Sequence, residues 1–255
     1  MTQSVTKALR LLRHFSPERP LLSLAEIARM SGLTKPTAYR YLRALEEEGM
    51  VARSGMPPDD VKYQLGIRLL ELGNLAADQI EIRKIALPYM ERLRDEVNEV
   101  VHLVVPDQGE AVYVERVETD RPIQLFTRIG LRVPMYAGSG PRLLLAFMEE
   151  QEREEVLGKL KLLPFTDATI TDPERLRELL RDIREKEYSV SYGEYVKGTL
   201  GLSVPIRNHT GRVIASLTIA IPGDNFSGER TRHILERLKR VAEEISRRCG
   251  FAGRG

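Results

Sequence analysis

Residues 23–49, SLAEIARMSGLTKPTAYRYLRALEEEG, decide the reading of this chain. Ser23 followed three residues later by Glu26 is a capping box, in which hydroxyl and carboxylate each satisfy a backbone N–H at a helix start. Leu24, Ile27 and Ala28 recur at helical spacing, and Ser31-Gly32 ends the run. Thr34 is placed to cap a second helix, where Pro36 is tolerated because first-turn N–H groups have no intrahelical acceptor. Advanced by roughly 100° per residue, Ala38, Tyr41, Leu42 and Leu45 fall on one core-facing stripe. Lys35, Pro36, Tyr39, Arg40 and Arg43 fall on another arc, with no carboxylate until Glu46. Cations without acids at the N-terminal half of a helix suit phosphates and base edges in a major groove. A solvated charged helix carries the same pattern, so the two-helix stretch alone leaves both readings open.

The flanking sequence narrows them. Val5, Ala8, Leu12 and Phe15 predict a helix over Ser4–Phe15, which supplies a third wall to a small core. Met50–Arg53 and the alternating Val61, Tyr63 and Leu65 predict two strands joined by the turn-forming Ser54–Asp60. Three helices followed by a hairpin make a winged helix-turn-helix. The candidate DNA-contacting residues are Lys35, Thr37, Tyr39, Arg40 and Arg43, with Arg53 and Lys62 on the hairpin reaching the phosphate backbone. The charge distribution agrees: the first 65 residues carry ten basic and seven acidic side chains, leaving −1 for the other 190.

The predicted domains are residues 1–65, a linker helix over 66–80, and a second domain over 81–251. A helical connector transmits orientation in a way that a Gly/Ser linker does not. Ile82–Asn98 reads as a helix or pair of helices, with Pro88 as a kink or a first-turn residue. Val100–Val105, Ala111–Val117 and Ile123–Ile129 read as strands. Helices follow over Arg142–Phe147, on to Leu160, and from Asp172-Pro173 to about Glu187. Strands return at Tyr188–Ser191, Leu202–Arg207 and Val213–Ile221, and Ser227–Arg248 closes the chain as a helix. Strands in runs with helices between the runs predict an α+β domain, an antiparallel sheet covered by helices.

Reactive constellations are not evident. Ser139 lies between glycines, but Ala137 and Pro141 stand where a nucleophile elbow needs glycine. His14, His102, His209 and His233 lie far apart without metal-ligand spacing, and each reads as a structural or surface histidine. The single cysteine, Cys249, excludes an intrachain disulfide framework. We therefore expect no catalytic residues, no metal and no cofactor. No apolar run approaches the ~20 residues that span a bilayer, and no signal-peptide core is present, so a cytoplasmic protein is expected. The loop Gly138–Pro141 opens into a helix whose first N–H groups would attract a carboxylate or phosphate; it reads equally well as a tight loop that needs glycine.

The ordered segments EIARMSGLTKPTAYRYLRALEEEGMV, YQLGIRLLELG, RIGLRVPMYAGSGPRLLLAF, GEYVKGTLGLSVPI and EISRRCG resemble the IclR family of bacterial transcription regulators over nearly the whole chain. The resemblance implies a regulator that binds a double-stranded DNA operator as a homodimer or homotetramer, joined partly through the N-terminal domains. It also implies a GAF-like C-terminal domain that binds a small organic acid effector. Its effector site maps onto Met135, Ser139, Gly140, Ser191, Thr199, Gly201, Thr218 and Ala220. Ser191, Gly201 and Ala220 depart from the acid, cysteine and hydroxyl residue common at those places. These departures predict a roomier, less polar wall suited to a larger acid, possible aromatic ones included. Two other functions fit the domain order: an enzyme with a fused DNA-binding module, and a ligand sensor acting through a protein partner.

Overall fold

The computed structural model describes residues 2–54, 61–119, 127–223 and 228–253. They form two compact units that divide between Gln79 and Ile80. The connector helix belongs with the first unit rather than standing apart.

The first unit holds α1 (Thr2–Leu11), a short 3₁₀ turn (Leu12–His14), β1 (Leu22–Ser23), α2 (Leu24–Ser31), α3 (Lys35–Glu47), β2 (Val51–Ser54), β3 (Lys62–Leu65) and α4 (Ile67–Asp78). The Ser23–Glu26 capping box forms: Glu26 N–H donates to Ser23 Oγ at 3.3 Å, and Ser23 N–H donates to the Glu26 carboxylate at 2.8 Å. That backbone bond holds the Glu26 carboxyl below its usual pKa range. Gly32 ends α2 at φ 67°, a left-handed conformation that glycine adopts without a Cβ clash. Thr34 takes the cap position of α3, but its hydroxyl meets that of Thr37 at 2.9 Å instead of a backbone N–H. Leu11, Leu22, Ile27, Leu42, Leu45, Val51 and Tyr63 make the core. The small sheet runs β1-β3-β2, so the hairpin gains a third strand that the sequence reading lacked. Leu22 is held opposite Tyr63, which fastens the chain entering α2 to the hairpin.

The second unit is built on a six-stranded antiparallel sheet, order β6-β5-β4-β9-β8-β7. Its strands are β4 (Val100–Asp107), β5 (Glu110–Val117), β6 (Arg132–Pro134), β7 (Ser189–Tyr192), β8 (Thr199–Arg207) and β9 (Val213–Pro222). Its helices are α5 (Glu81–Val97), α6 (Ser139–Phe147), α7 (Glu150–Lys159), α8 (Pro173–Lys186) and α9 (Gly228–Arg248). Side chains alternate along each strand. Leu103, Leu202, Leu217 and Ile219 pack with Met90 and Leu93 of α5 and Leu238 and Val241 of α9. Val104, Tyr113 and Val133 pack instead with Leu143–Ala146 of α6 and Leu176, Leu180 and Ile183 of α8. Removing each such Leu or Ile from water contributes about 1.5–3 kcal/mol, so both sheet faces hold the fold.

One expectation needs correction, and one alternative is decided. Of the strand predicted over Ile123–Ile129, positions 123–126 lie outside the described residues, and Thr127–Ile129 is irregular. The neighbour of β5 is β6, three residues long, with Val133 opposite Ala111. Pro88 sits inside α5, which continues through it. Among the described residues no helix is long and apolar enough to cross a membrane.

Candidate functional sites

The exposed face of α3 bears the predicted DNA-contacting residues. Lys35, Tyr39, Arg40 and Arg43 are exposed and Thr37 is half-buried, while Ala38, Leu42 and Leu45 turn into the core. The cations are not equivalent. Arg43 pairs with Glu47 at 3.0 Å along the helix, and Arg53 on β2 pairs with Glu46 at 2.9 Å. The Glu46 carboxylate is the main cause that raises the pKa of Arg53. Arg40 lies 5.6 Å from the centre of the Tyr41 ring. Neither Lys35 nor Arg40 pairs with a carboxylate among the described residues, so the unneutralised charge of α3 lies in its first half. Lys62 is exposed at the start of β3. The exposed pairs of Arg43 and Arg53 are each worth about 0–1 kcal/mol, so a phosphate could displace either carboxylate at small cost.

A second site lies in the other unit, on the sheet face that α6 covers. Antiparallel register sets its residues in two rows. Ser191 on β7 stands beside Gly201, then Ala220, then Val100; two residues along, Ser203 stands beside Thr218, then His102, then Arg116. The N-terminus of α6 meets this face. Gly138 caps it at φ 93° with no side-chain cap, and Pro141 in the first turn has no N–H. Gly140 packs so closely on the strands that an added Cβ would lie 2.8 Å from Thr218 Oγ1.

The resulting cavity is about 50 Å³. Six of the predicted effector residues line it: Ser139, Ser191, Thr199, Gly201, Thr218 and Ala220. The other two do not. Met135 is wholly buried among the side chains between sheet and α6, and Gly140 is the close-packed backbone just described. The sequence reading missed His102, Tyr113, Thr127, Glu194, Tyr195 and Val196, which with Gly138 complete the lining among the described residues.

The space that glycine at position 201 was expected to open is filled by neighbouring hydroxyl groups. The space a Cβ on Gly201 would need is already taken by Ser139 Oγ, 2.5 Å away, and Ser191 Oγ, 2.7 Å away. Ser203 Oγ donates to Ser139 Oγ at 2.8 Å and meets Thr218 Oγ1 at 2.8 Å, forming a buried hydroxyl chain behind the lining. Glu194 is buried against Arg142 of α6 in a two-pronged pair, and Arg142 also donates to the Val190 carbonyl at 2.7 Å. The guanidinium neutralises Glu194, the one carboxylate among the described lining residues.

His102 forms the floor. Its Nε2 lies 2.7 Å from Thr127 Oγ1, and its ring meets Tyr113 edge-on at 5.3 Å. Burial, with the Arg116 charge adding to it, lowers the imidazole pKa to about 3, so the ring is neutral at physiological pH. Burial, with Tyr195 nearby, also raises the pKa of the Tyr113 phenol. The cavity can therefore offer neutral hydrogen-bonding groups and the N–H end of a helix, a combination suited to a small polar anion.

The family comparison fits this pairing of a helix-turn-helix with a polar cavity. The family described as "Bacterial transcriptional regulator IclR C-terminal" matches residues 74–247, and the "IclR helix-turn-helix domain" matches residues 4–55. The chain belongs to the IclR family of transcriptional regulators. It is 37% identical over 249 residues to the HTH-type transcriptional regulator KipR of Bacillus subtilis, covering 98% of each chain. Among solved structures, IclR of Thermotoga maritima superposes with a TM-score of 0.78 at 32% identity, covering 98% of this chain and 100% of that one. An IclR homologue of Microbacterium hydrocarbonoxydans complexed with 4-hydroxybenzoate gives 0.81 at 31% identity, covering 96% and 98%.

Proposed function

We propose that this IclR-family protein recognises an operator through α3 and that a small organic acid bound in the cavity beneath α6 changes its operator affinity. The observation that carries the DNA-binding part is the exposed first half of α3, where Lys35 and Arg40 stand without carboxylate partners among the described residues. Lys35, Thr37, Tyr39, Arg40 and Arg43 are assigned to the major groove, and Arg53 and Lys62 to the phosphate backbone. Here base contacts set specificity and phosphate contacts set register.

The effector part is supported by the convergence of six family-mapped residues on one cavity. The relative complexed with 4-hydroxybenzoate supports it too. Ser139, Ser191, Thr199, Gly201, Thr218 and Ala220 form the site, with Met135 and Gly140 supporting α6 from behind. An acid changes operator affinity only to the extent that it binds one conformation better than the other.

Operator binding is assigned to a homodimer or homotetramer. Val5 and Leu9 on α1, and Ile67, Leu70 and Leu75 on α4, are exposed large aliphatic side chains within the first unit. Apolar surface of this kind favours burial against another subunit, and two half-sites then multiply affinity through effective concentration. A mobility shift on DNA taken from upstream of the protein's own gene, with and without organic acids, tests the reading. Retarded bands that specific but not random DNA competes away support it. A protein that retards neither, yet binds an acid, would instead be a sensor acting through another partner.

A further inference from the structure

Away from both sites, α8 carries its charges in separate rows. Advanced by roughly 100° per residue, Arg177, Arg181 and Arg184 fall within an arc of about 60° beside the buried Leu176, Leu180 and Ile183. Glu174, Glu178, Asp182 and Glu185 fall on the next arc. The arginine row lines a groove of about 200 Å³ whose other wall is α7. Arg153 of α7 brings a fourth guanidinium to it, and Leu157 and Leu180 supply its apolar surface.

The charges do not balance. Against the four arginines, Glu154 is the one carboxylate among the described lining residues, a surplus of three positive charges. Arg177 Nη1 donates to both oxygens of Glu154, at 2.8 and 2.7 Å, and Arg153 Nε lies 3.8 Å from the same carboxylate. Arg181 and Arg184 are exposed and pair with no carboxylate among the described residues. Like charges three and four residues apart on one helix repel, so the row weakens α8 in a way that a bound anion would relieve.

The kind of anion follows from the geometry. A guanidinium is a planar fork that meets the oxygens of a phosphoryl group in pairs. Arg177 and Arg181 are one helical turn apart, a rise of about 6 Å, so a single ligand engages several forks only if it presents charged oxygens on more than one side. A monocarboxylate does not, and Glu154 already leaves two arginines unmet. The groove is also too small to take much of a protein segment or a duplex. We infer that it is a binding site for a small phosphorylated molecule, held through a phosphoryl or diphosphoryl group by Arg181 and Arg184. Arg177 and Arg153 exchange Glu154 for the ligand, since an exposed ion pair is easily given up. The groove shares no lining residue with the cavity beneath α6 and does not depend on the effector reading.

The test is calorimetric titration of the full-length protein with inorganic pyrophosphate, orthophosphate, malonate and acetate at fixed ionic strength. Pyrophosphate should bind at one site per chain and more tightly than malonate or acetate. Arg181→Gln combined with Arg184→Gln should weaken it by about tenfold or more, with the melting temperature unchanged. Glu154→Gln removes the internal competitor and should tighten it, which a variant that merely disturbs the fold would not do. Pyrophosphate binding that is unaffected by the double variant, or that Glu154→Gln fails to tighten, would overturn the inference. So would loss of binding on combining Lys35→Gln with Arg40→Gln, which would place the anion on α3. Equal affinity for malonate would make the groove a dicarboxylate site, and lowered operator affinity of the double variant without pyrophosphate would make it a DNA contact; either result would overturn the assignment.

Discussion

Ser139 Oγ occupies the place that a side chain on Gly201 would require: a Cβ built there lies 2.5 Å from that oxygen. Serine at the start of α6 and glycine in the middle of β8 are thus one fitted pair, and the Ser139 hydroxyl is fixed from behind by Ser203.

The pair predicts a coupled substitution effect. Gly201→Ala should destabilise the protein by about 1–3 kcal/mol through overpacking. Ser139→Ala introduced with it should recover part of the loss, since removing the oxygen leaves the nearest Ser139 atom, Cβ, at 3.3 Å. Thermal or denaturant unfolding of the two single variants and the double variant measures this. Strict additivity would show that the two residues do not share that space.

Arg142 and Glu194 predict a second asymmetry. Arg142→Met leaves a buried carboxylate without its partner and should cost about 3–5 kcal/mol, whereas Arg142→Met with Glu194→Leu should be much milder. Denaturant midpoints of the two variants check it. Equal losses would mean that the pair matters for its packing rather than its charges.

His102 makes the protein sensitive to acid. Its folded pKa, about 3, is below the ordinary 6.5, so the unfolded state binds more protons between those values. The contribution of the neutral ring is fully present above about pH 6.5 and is lost as pH falls toward 3. His102→Asn, which does not titrate, should therefore show a shallower decline in melting temperature between pH 6.5 and pH 4 than wild type. Parallel declines would place the charged imidazole in a less buried setting.

The DNA-binding half was legible because short-range chemistry specifies it. The Ser23–Glu26 box, Gly32 at positive φ, and the stripe of Ala38, Leu42 and Leu45 are each encoded within four residues or at helical period. Strands β1 and β6 were not, because two or three residues carry no period and pair only when a longer neighbour presents its edge. The cavity was legible in part through family resemblance. His102 read only as a structural or surface histidine because its neighbours come from β5, β9 and Thr127, far apart in sequence. Likewise, glycine at 201 suggested empty space only because the opposing Ser139 lies 62 positions away in the chain. The linear reading named no partner for Arg43 or Arg53; folding placed Glu47 and Glu46 beside them.

The central claim, that α3 reads DNA, is tested most directly by operator affinity of Arg40→Ala measured against wild type on the upstream DNA and on random DNA over a range of salt. A base contact predicts a loss of about 1–3 kcal/mol on the operator, with little change on random DNA. A phosphate contact predicts a uniform loss with a shallower salt dependence. Either result agrees with the account. Unchanged affinity for both DNAs, in a variant with wild-type thermal stability, would contradict it.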